Sequence, residues 1–194
     1  MVRKSAVPYH HSLLFFLVAT IFSALFVISV VMFWQQTHRS VDAMVHEDVV
    51  RLQKVFQKIH QDCKILSFDH EKNYIDFLTV KEFVGDQVGA MNLAVAKFWK
   101  GPYLKENPEV QEHAYVILKN KQGYFIVPGD GVVLSNGKIV GKDIVLHANT
   151  DMKKMMQNSN GLKSSAGVLA APIEVVKNHF LLNASTADFF NGNE

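Results

Sequence analysis

The sequence predicts an α+β protein with an N-terminal transmembrane helix, a long second helix, and an antiparallel sheet with flanking helices. Residues 12–34 are apolar and uncharged, residues 45–66 carry apolar side chains at helical spacing, and residues 113–147 contain three apolar runs separated by turns. We therefore expect four segments: a cytoplasmic tail over 1–11, a transmembrane helix over 12–34, a linker and dimerisation helix over 35–66, and an extracytoplasmic α+β domain over 67–194.

The apolar run at residues 12–34 has the length of a membrane span. As a helix it reaches about 34 Å, which exceeds a hydrocarbon core of about 30 Å. Tyr9 and Trp34 flank it, where amphipathic aromatic side chains favour the interface. The main alternative is a signal peptide, which has a shorter apolar region and a small-residue cleavage site. The residues at the end of the run and just after it, MFWQQTHR, offer no such site, so we predict an uncleaved anchor.

The charges beside this run predict the orientation of the chain. Arg3 and Lys4 precede it, no acid occurs in residues 1–34, and Arg39, Asp42, Glu47 and Asp48 follow it. Basic residues concentrate on the cytoplasmic side, so the N-terminus is predicted to be cytoplasmic. This layout suits a single-pass protein of a bacterial inner membrane with a periplasmic or extracellular domain.

The composition of the remainder excludes several classes of protein. Residues 35–194 hold 18 basic and 18 acidic residues. This neutral balance argues against nucleic-acid binding and against strong adhesion to anionic lipid. Cys63 is the only cysteine, so it is either a buried inert thiol or part of an intermolecular disulfide. Every fixed cation from residue 52 onward is lysine, so no guanidinium clamp is expected in the main domain.

The long helix carries an apolar seam at spacings of three and four residues. One alternative is a helix that lies on its own domain, and the other is a helix that also pairs with its twin. We predict a homodimer through this face, whose interface residues are Val45, Val49, Leu52, Phe56 and Ile59. Cys63 and Leu66 extend the spacing, although this end also fits the start of the next element.

The next two segments are predicted less sharply. Lys64–Phe68 and Tyr74–Val80 form either a hairpin with a polar five-residue loop or a continuation of helix. Lys81–Lys100 is predicted to be a helix that ends at Gly101-Pro102. Its apolar stripe would consist of Val84, Val88, Met91, Val95 and Phe98.

The clearest strand pattern lies at residues 113–147. Turns are predicted at Asn120–Gly123, at residues 128–131 and at Asn136-Gly137, a pair that favours two-residue hairpins. A short helix is predicted after Thr150 as its N-cap. Two further strands are predicted in the runs GVLAAPIEVV and HFLLNAST.

We find no motif of a catalytic, nucleotide-binding or metal-binding site, so the sequence predicts neither an enzyme nor a cofactor. The nine histidines are scattered and lack the spacing of zinc ligands. Aromatic side chains with polar tips near a sheet face can instead line a ligand cavity. The candidate ligand-binding residues are Trp99, Tyr103, Tyr115, Tyr124 and Asp130. The alternative is that Trp99, Tyr115 and Tyr124 fill the core.

The run AYVILKNKQGYFIV…GVVLSNGKIVGKDIV resembles the central strands of the PAS-like Cache sensor domains of bacterial receptors. The resemblance implies a PAS-like antiparallel sheet over roughly residues 37–185. It also implies that a small metabolite binds between the sheet and a lid.

These observations favour a membrane-anchored, sensor-like module for signal transduction that binds a small ligand or a partner protein. A tail of about 11 residues is too short for a signalling domain, so we expect it to act through other membrane proteins. The alternative is a periplasmic scaffold subunit of a secretion or pilus assembly. The anchored scaffold proteins of type IV secretion resemble this layout of short tail, single span and curved antiparallel sheet.

Overall fold

The computed structural model describes the backbone of residues 9–176 and the side chains of residues 16–34 and 41–176. It begins with one continuous helix, α1, which runs over Tyr9–Cys63. Within α1, the apolar segment Phe16–Trp34 has a mean hydropathy of 2.7 and none of it is buried. The segment is long and apolar enough to cross a membrane, and a signal sequence would meet the same criteria of length and composition.

Antiparallel β-structure follows α1. In chain order the strands are β1 (Ile65–Phe68), β2 (Lys72–Tyr74), β3 (Gln87–Val88), β4 (Met91–Leu93), β5 (Glu109–Val110), β6 (His113–Ala114), β7 (Val116–Asn120), β8 (Gly123–Val127), β9 (Lys163–Ser164), β10 (Gly167–Val168) and β11 (Ala171–Ile173). The largest sheet has the order β11-β8-β7-β2, and a second sheet has the order β1-β4-β3. A short helix, α2 (Met152–Gln157), lies between β8 and β9. The combination of helix and antiparallel sheet confirms the predicted α+β class.

The second half of α1 packs on this sheet through the predicted apolar seam. Its contacts fall mainly on β11 and β8 of this sheet, on β10, which pairs separately with β9, and on a 3₁₀ turn at Ala96–Phe98. The five side chains assigned to a dimer interface are each at most 1% exposed within one chain; they are Val45, Val49, Leu52, Phe56 and Ile59. A second chain cannot reach them in this fold, so the alternative of a helix that lies on its own domain explains the spacing. A homodimer remains a prediction, and it would need a different surface.

The segment at residues 64–80 is neither the predicted hairpin nor a helix. Lys64 ends α1 with a positive φ of 58°, and β1 follows directly. β1 pairs with β4, and β2 pairs with β7 through Asn73 and Ile117. The first run contributes β1 to one sheet, whereas the second run contributes only Tyr74 to β2 of the other sheet. The buried side chains of the second run, Ile75, Phe77 and Leu78, lie beyond the strand.

The helix predicted at Lys81–Lys100 is absent, and the prediction was wrong. β3 and β4 form a hairpin there, followed by a 3₁₀ turn at Ala96–Phe98. Gly89 explains the difference, because its φ is +55° and an added Cβ would lie 2.6 Å from Cδ1 of Phe77. Of the predicted stripe, Val84 is 99% exposed. The apolar residues of this segment are spaced as in a helix, but the close contact of Gly89 with Phe77 requires the hairpin.

The remaining predictions concern turns and the short helix. Turns occur at Asn120–Gly123 between β7 and β8 and at Asn136-Gly137, where Val133 and Ile139 form a bridge. The helix α2 is present, but its N-cap is Asp151 rather than Thr150, because the Asp151 side chain accepts the Lys154 N–H. The run GVLAAPIEVV contains β10 and β11, whereas HFLLNAST lies outside the described residues.

Candidate functional site

A polar cleft lies between α1 and the loop that follows the 3₁₀ turn. We call it the loop cleft. It has a volume of about 650 Å³ and is lined by Asp48 and Arg51 of α1 and by Tyr103, Leu104, Lys105, Glu106, Asn107, Pro108 and Glu109. The loop is held in place where the Tyr103 N–H donates to the Leu78 carbonyl at 2.8 Å. One helix and one loop therefore form opposite walls of the cleft.

The helical wall of the loop cleft is a hydrogen-bonded charge pair. Nη2 of Arg51 lies 3.0 Å from Oδ1 of Asp48. The Tyr115 hydroxyl donates to Oδ2 of Asp48 at 3.0 Å. Burial raises the pKa of Tyr115 far above its usual range, and the Asp48 charge adds to this effect. Tyr115 therefore stays a protonated donor, and both Asp48 oxygens are engaged.

Arg51 was missed as a candidate, and the reason is a misplaced boundary. The expectation that no guanidinium clamp occurs in the main domain covered only residues from 52 onward. In the structure, however, α1 packs against the domain from Val41 onward, so Arg51 belongs to it. Its side chain is 55% exposed, and a guanidinium has five donors in a fixed fork. Its position between the seam residues Val49 and Leu52 already placed it on the helix that packs against the domain, whereas the loop opposite it could not be inferred.

Trp99 and Tyr103, two of the predicted ligand-binding residues, lie together. Their rings make an edge contact with centroids 4.8 Å apart. Trp99 also contacts Phe83, and its Nε1 donates to the Val80 carbonyl. Trp99 therefore supports the loop, while Tyr103 reaches the cleft. Burial raises the pKa of Tyr103, so its hydroxyl remains protonated at neutral pH.

The other three predicted ligand-binding residues do not line the loop cleft with Tyr103. Tyr115 is fully buried and reaches the loop cleft only through its bond to Asp48. Tyr124 packs on Phe68 with centroids 5.1 Å apart. Asp130 forms an ion pair with Lys72 at 2.7 Å beside a pocket of about 10 Å³, which is too small for a metabolite. Core packing, the alternative left open, thus describes Tyr115 and Tyr124.

A second cavity lies nearer the apolar segment, and we call it the proximal pocket. It has a volume of about 420 Å³ and is lined by Asp42, Leu134, Ser135, Asn136, Ser159, Gly161, Lys163, Ser164, Ser165 and Leu169. Asp42 is 2% exposed, and its carboxylate accepts the backbone N–H and the hydroxyl of Ser135. This contact fixes the 134–138 loop to α1. Sequence reasoning missed it because the two residues are 93 positions apart.

Neither metal binding nor thiol chemistry finds support in the described part of the chain. Within it, no group of three or more His, Cys, Asp or Glu side chains is placed to hold a metal ion. Cys63 is fully buried, and burial raises the pKa of its thiol. A thiol of raised pKa without solvent access is a poor nucleophile, so an intermolecular disulfide would require α1 to unpack.

The cavities offer charge and hydrogen bonding rather than a nucleophile beside a base. The loop cleft presents a guanidinium, carboxylates and an ammonium to a polar ligand. The proximal pocket presents hydroxyls, one amide, one ammonium and the carboxylate of Asp42. No protein-family model, curated protein or solved structure matches this chain. The function must therefore be inferred from the chemistry of these two cavities and from their positions along α1.

Proposed function

We propose that the chain is a single-pass, membrane-anchored sensor-like module. Its extracytoplasmic domain binds a small polar ligand in the loop cleft and reports occupancy through α1 to other membrane proteins. One observation carries the proposal: a single helix contains both the apolar segment and the Asp48–Arg51 wall of the cleft. Ligand contacts with that wall act directly on the element that enters the membrane.

The size and lining of the loop cleft support a small, charged ligand. Its volume of about 650 Å³ falls within the range of about 300–1,000 Å³ typical of small-molecule sites. Its walls carry both signs of charge, because Arg51 and Lys105 line it together with three carboxylates, those of Asp48, Glu106 and Glu109. A ligand with an anionic group would compete with Asp48 for the Arg51 guanidinium.

That competition gives the ligand a means of acting on α1. A ligand shifts a conformational equilibrium only through contacts that differ between the two states. Arg51 is 17 residues from Trp34, about 26 Å along a continuous helix. Releasing Arg51 from Asp48 also perturbs the bond from Tyr115 to Asp48, which ties α1 to the strand region. A small displacement of α1 is then carried to the apolar segment.

The fold also supports a particular surface for partner proteins. The amphipathic seam of α1 is closed by its own sheet, whereas the large apolar side chains of Phe16–Trp34 are exposed. In a bilayer, helices associate by close packing and hydrogen bonds on such surfaces. Partner membrane proteins, or a second copy, would therefore contact the apolar segment.

Thermal-shift screening of the full-length chain in detergent against charged metabolites tests ligand binding. A ligand at 100 times its Kd stabilises the fold by about 2.7 kcal/mol. Arg51→Ala should abolish the shift. Lys54→Ala, one turn further along α1 and exposed, should preserve it.

Purification from native membranes tests the alternative function. If no charged metabolite shifts the thermal unfolding transition and the chain is recovered in a multi-protein assembly, the results favour the scaffold function over the sensor function. Labelling of single-cysteine variants from either side of the membrane checks the orientation. Cytosolic labelling of the domain would contradict the sensor and scaffold proposals together.

A further inference from the structure

The proximal pocket has a property that the proposed function does not use: it lies close to the end of the apolar segment. Asp42, its wall on α1, is eight residues after Trp34, which is about 12 Å along the helix. The headgroup layer extends about 5–8 Å beyond each side of the hydrocarbon core. The remaining gap is shorter than the Debye length of about 8 Å at physiological ionic strength. Charges at this pocket can therefore act on lipid headgroups.

The chemistry of the proximal pocket suits a phosphate group. Four serines, Asn136 and the exposed Lys163 line it, so hydroxyl donors surround one ammonium. The one carboxylate in its wall, that of Asp42, is 2% exposed, and both of its oxygens accept hydrogen bonds from Ser135. Charge-assisted hydrogen bonds of this kind are those that phosphate oxygens accept.

The sequence around the pocket is basic, although the domain as a whole is neutral. Residues 131–143 and 151–174, which contain the two pocket loops, hold five lysines and three acids, Asp143, Asp151 and Glu174. The other residues of 35–194 carry two more acids than bases. Lys163 lines the pocket, and Nζ of Lys138 donates to the Asn160 carbonyl at 3.0 Å, which joins the two loops. The neutral total that argued against adhesion to anionic lipid therefore conceals a separation of charge.

We propose that the proximal pocket and its lysines, Lys138 and Lys163, bind the phosphate-bearing headgroups of anionic lipids in the bilayer that α1 spans. The contact docks the membrane-facing end of the domain on the membrane surface. It sets the tilt and rotation of α1, because a helix held only by its span is free to vary in both. The inference rests on the membrane anchoring proposed above and is independent of ligand binding in the loop cleft.

Amide hydrogen exchange of the full-length chain in nanodiscs tests the proposal. One set of nanodiscs contains phosphatidylcholine alone, and the other an equal mixture with phosphatidylglycerol. We expect slower exchange at residues 134–138 and 158–165 on the anionic nanodiscs, and loss of this protection at high salt. Each lysine near an anionic surface favours contact about fivefold. Lys163→Glu should therefore reduce the protection by at least that factor.

The matched control is Lys97→Glu. Lys97 is an exposed residue of the 3₁₀ turn, which lies near the end of α1 that is farther from the apolar segment. The substitution changes the net charge equally and should leave the protection unchanged. Equal protection on both kinds of nanodisc, or equal loss in the two variants, would overturn the proposal. So would full protection by inorganic phosphate on phosphatidylcholine nanodiscs, because the pocket would then bind free phosphate. If the chain does not co-purify with nanodiscs, the proposed membrane anchoring is contradicted as well. Ligand binding in the loop cleft is tested separately by the thermal-shift screen.

Discussion

The two halves of α1 belong to one helix and yet are matched to two different solvents. Phe16–Trp34 is apolar on every face, and none of it is buried by the protein. From Val41 to Cys63 most of the large apolar side chains form one buried stripe, Met44 being 53% exposed, and the charged residues lie mostly outside the stripe. A helix that is apolar all round belongs in a membrane or a large core, and an amphipathic one belongs on a domain surface. Burial within the chain therefore stabilises only the second half.

The largest expected effect on stability comes from truncating a side chain in the buried stripe. Phe56 is 1% exposed and makes edge contacts with Phe68 and Phe77 at centroid distances of 6.2 and 6.3 Å. Phe56→Ala should lower the free energy of unfolding by about 3–5 kcal/mol, because it removes buried surface and leaves a cavity. Denaturation of the full-length chain in detergent, followed by circular dichroism, measures the loss.

Two controls sharpen the contrast between the halves. Gln57→Ala changes an exposed position on the same turn and should stay within about 0.5 kcal/mol of the wild type. Phe22→Ala removes a ring that is 69% exposed and should leave the domain transition in place. If Phe22→Ala destabilised the domain as much as Phe56→Ala, the division of α1 into two halves would be wrong.

The next effect concerns the apolar half alone. Leu25 lies near the middle of Phe16–Trp34. Leu25→Arg should cost about 2.5–3.5 kcal/mol of membrane insertion, because an arginine at a span centre must be desolvated or pulled to the interface. Alkaline extraction of membranes measures the retained fraction. Leu25→Ala serves as the control and should remain in the membrane pellet, as should Phe56→Ala.

The two halves of α1 could be predicted from sequence because their signals are local. The apolar run needs only its length, and the seam needs only spacings of three and four residues. Both are properties of consecutive side chains. The seam could not show, however, whether it faced the sheet or a second chain, because both surfaces accept the same pattern. Burial of Val45 and Leu52 within one chain resolved that choice.

The segment after α1 was mispredicted because its decisive contacts are distant. Met91 and Val88 are buried at a spacing that fits a helix, yet they lie in a hairpin. The hairpin depends on Gly89 packing against Phe77 and on β4 pairing with β1. No local pattern records those partners. Propensity is a weak prior that tertiary packing routinely overrides.

The residues of the candidate sites also differ in whether a local sequence pattern could identify them. Tyr103 was identified because aromatic side chains with polar tips near a sheet can line a cavity, and it does line the loop cleft. Arg51 and Ser135 were missed, because their roles depend on α1 meeting loops that come much later in the chain. Pairing of a helix residue with a distant loop leaves no trace in a single sequence.

A smaller effect is expected at the bond that ties the domain half of α1 to the strand region. Tyr115→Phe removes the hydroxyl that donates to Asp48 at 3.0 Å. The loss should be about 1 kcal/mol, because the partly exposed Asp48 can take a water in its place and keeps Arg51. Chemical denaturation of the full-length chain measures it. Tyr124→Phe is the control, since none of the described hydrogen bonds involves its hydroxyl, and an equal loss there would show that Asp48 is not the cause.

The smallest effect is a dependence on pH at the far end of α1. Burial lowers the pKa of His60 below its ordinary value of 6.5, and the nearby Lys64 adds to this shift. Its neutral Nδ1 accepts the Ile65 N–H at 3.2 Å, where α1 passes into β1. Above pH 6.5 the histidine is neutral in both the folded and unfolded chains, so it adds no pH dependence. As the pH falls below 6.5 the unfolded chain takes up the proton first, so stability declines until the pH reaches the lowered folded pKa.

His60→Asn keeps an acceptor without a titrating group, and it should flatten the decline in Tm between pH 7 and pH 5. His70→Asn, at an exposed site, should retain the wild-type slope. A wild-type slope in His60→Asn would place the pH dependence elsewhere and leave the junction of α1 and β1 without a titrating contact.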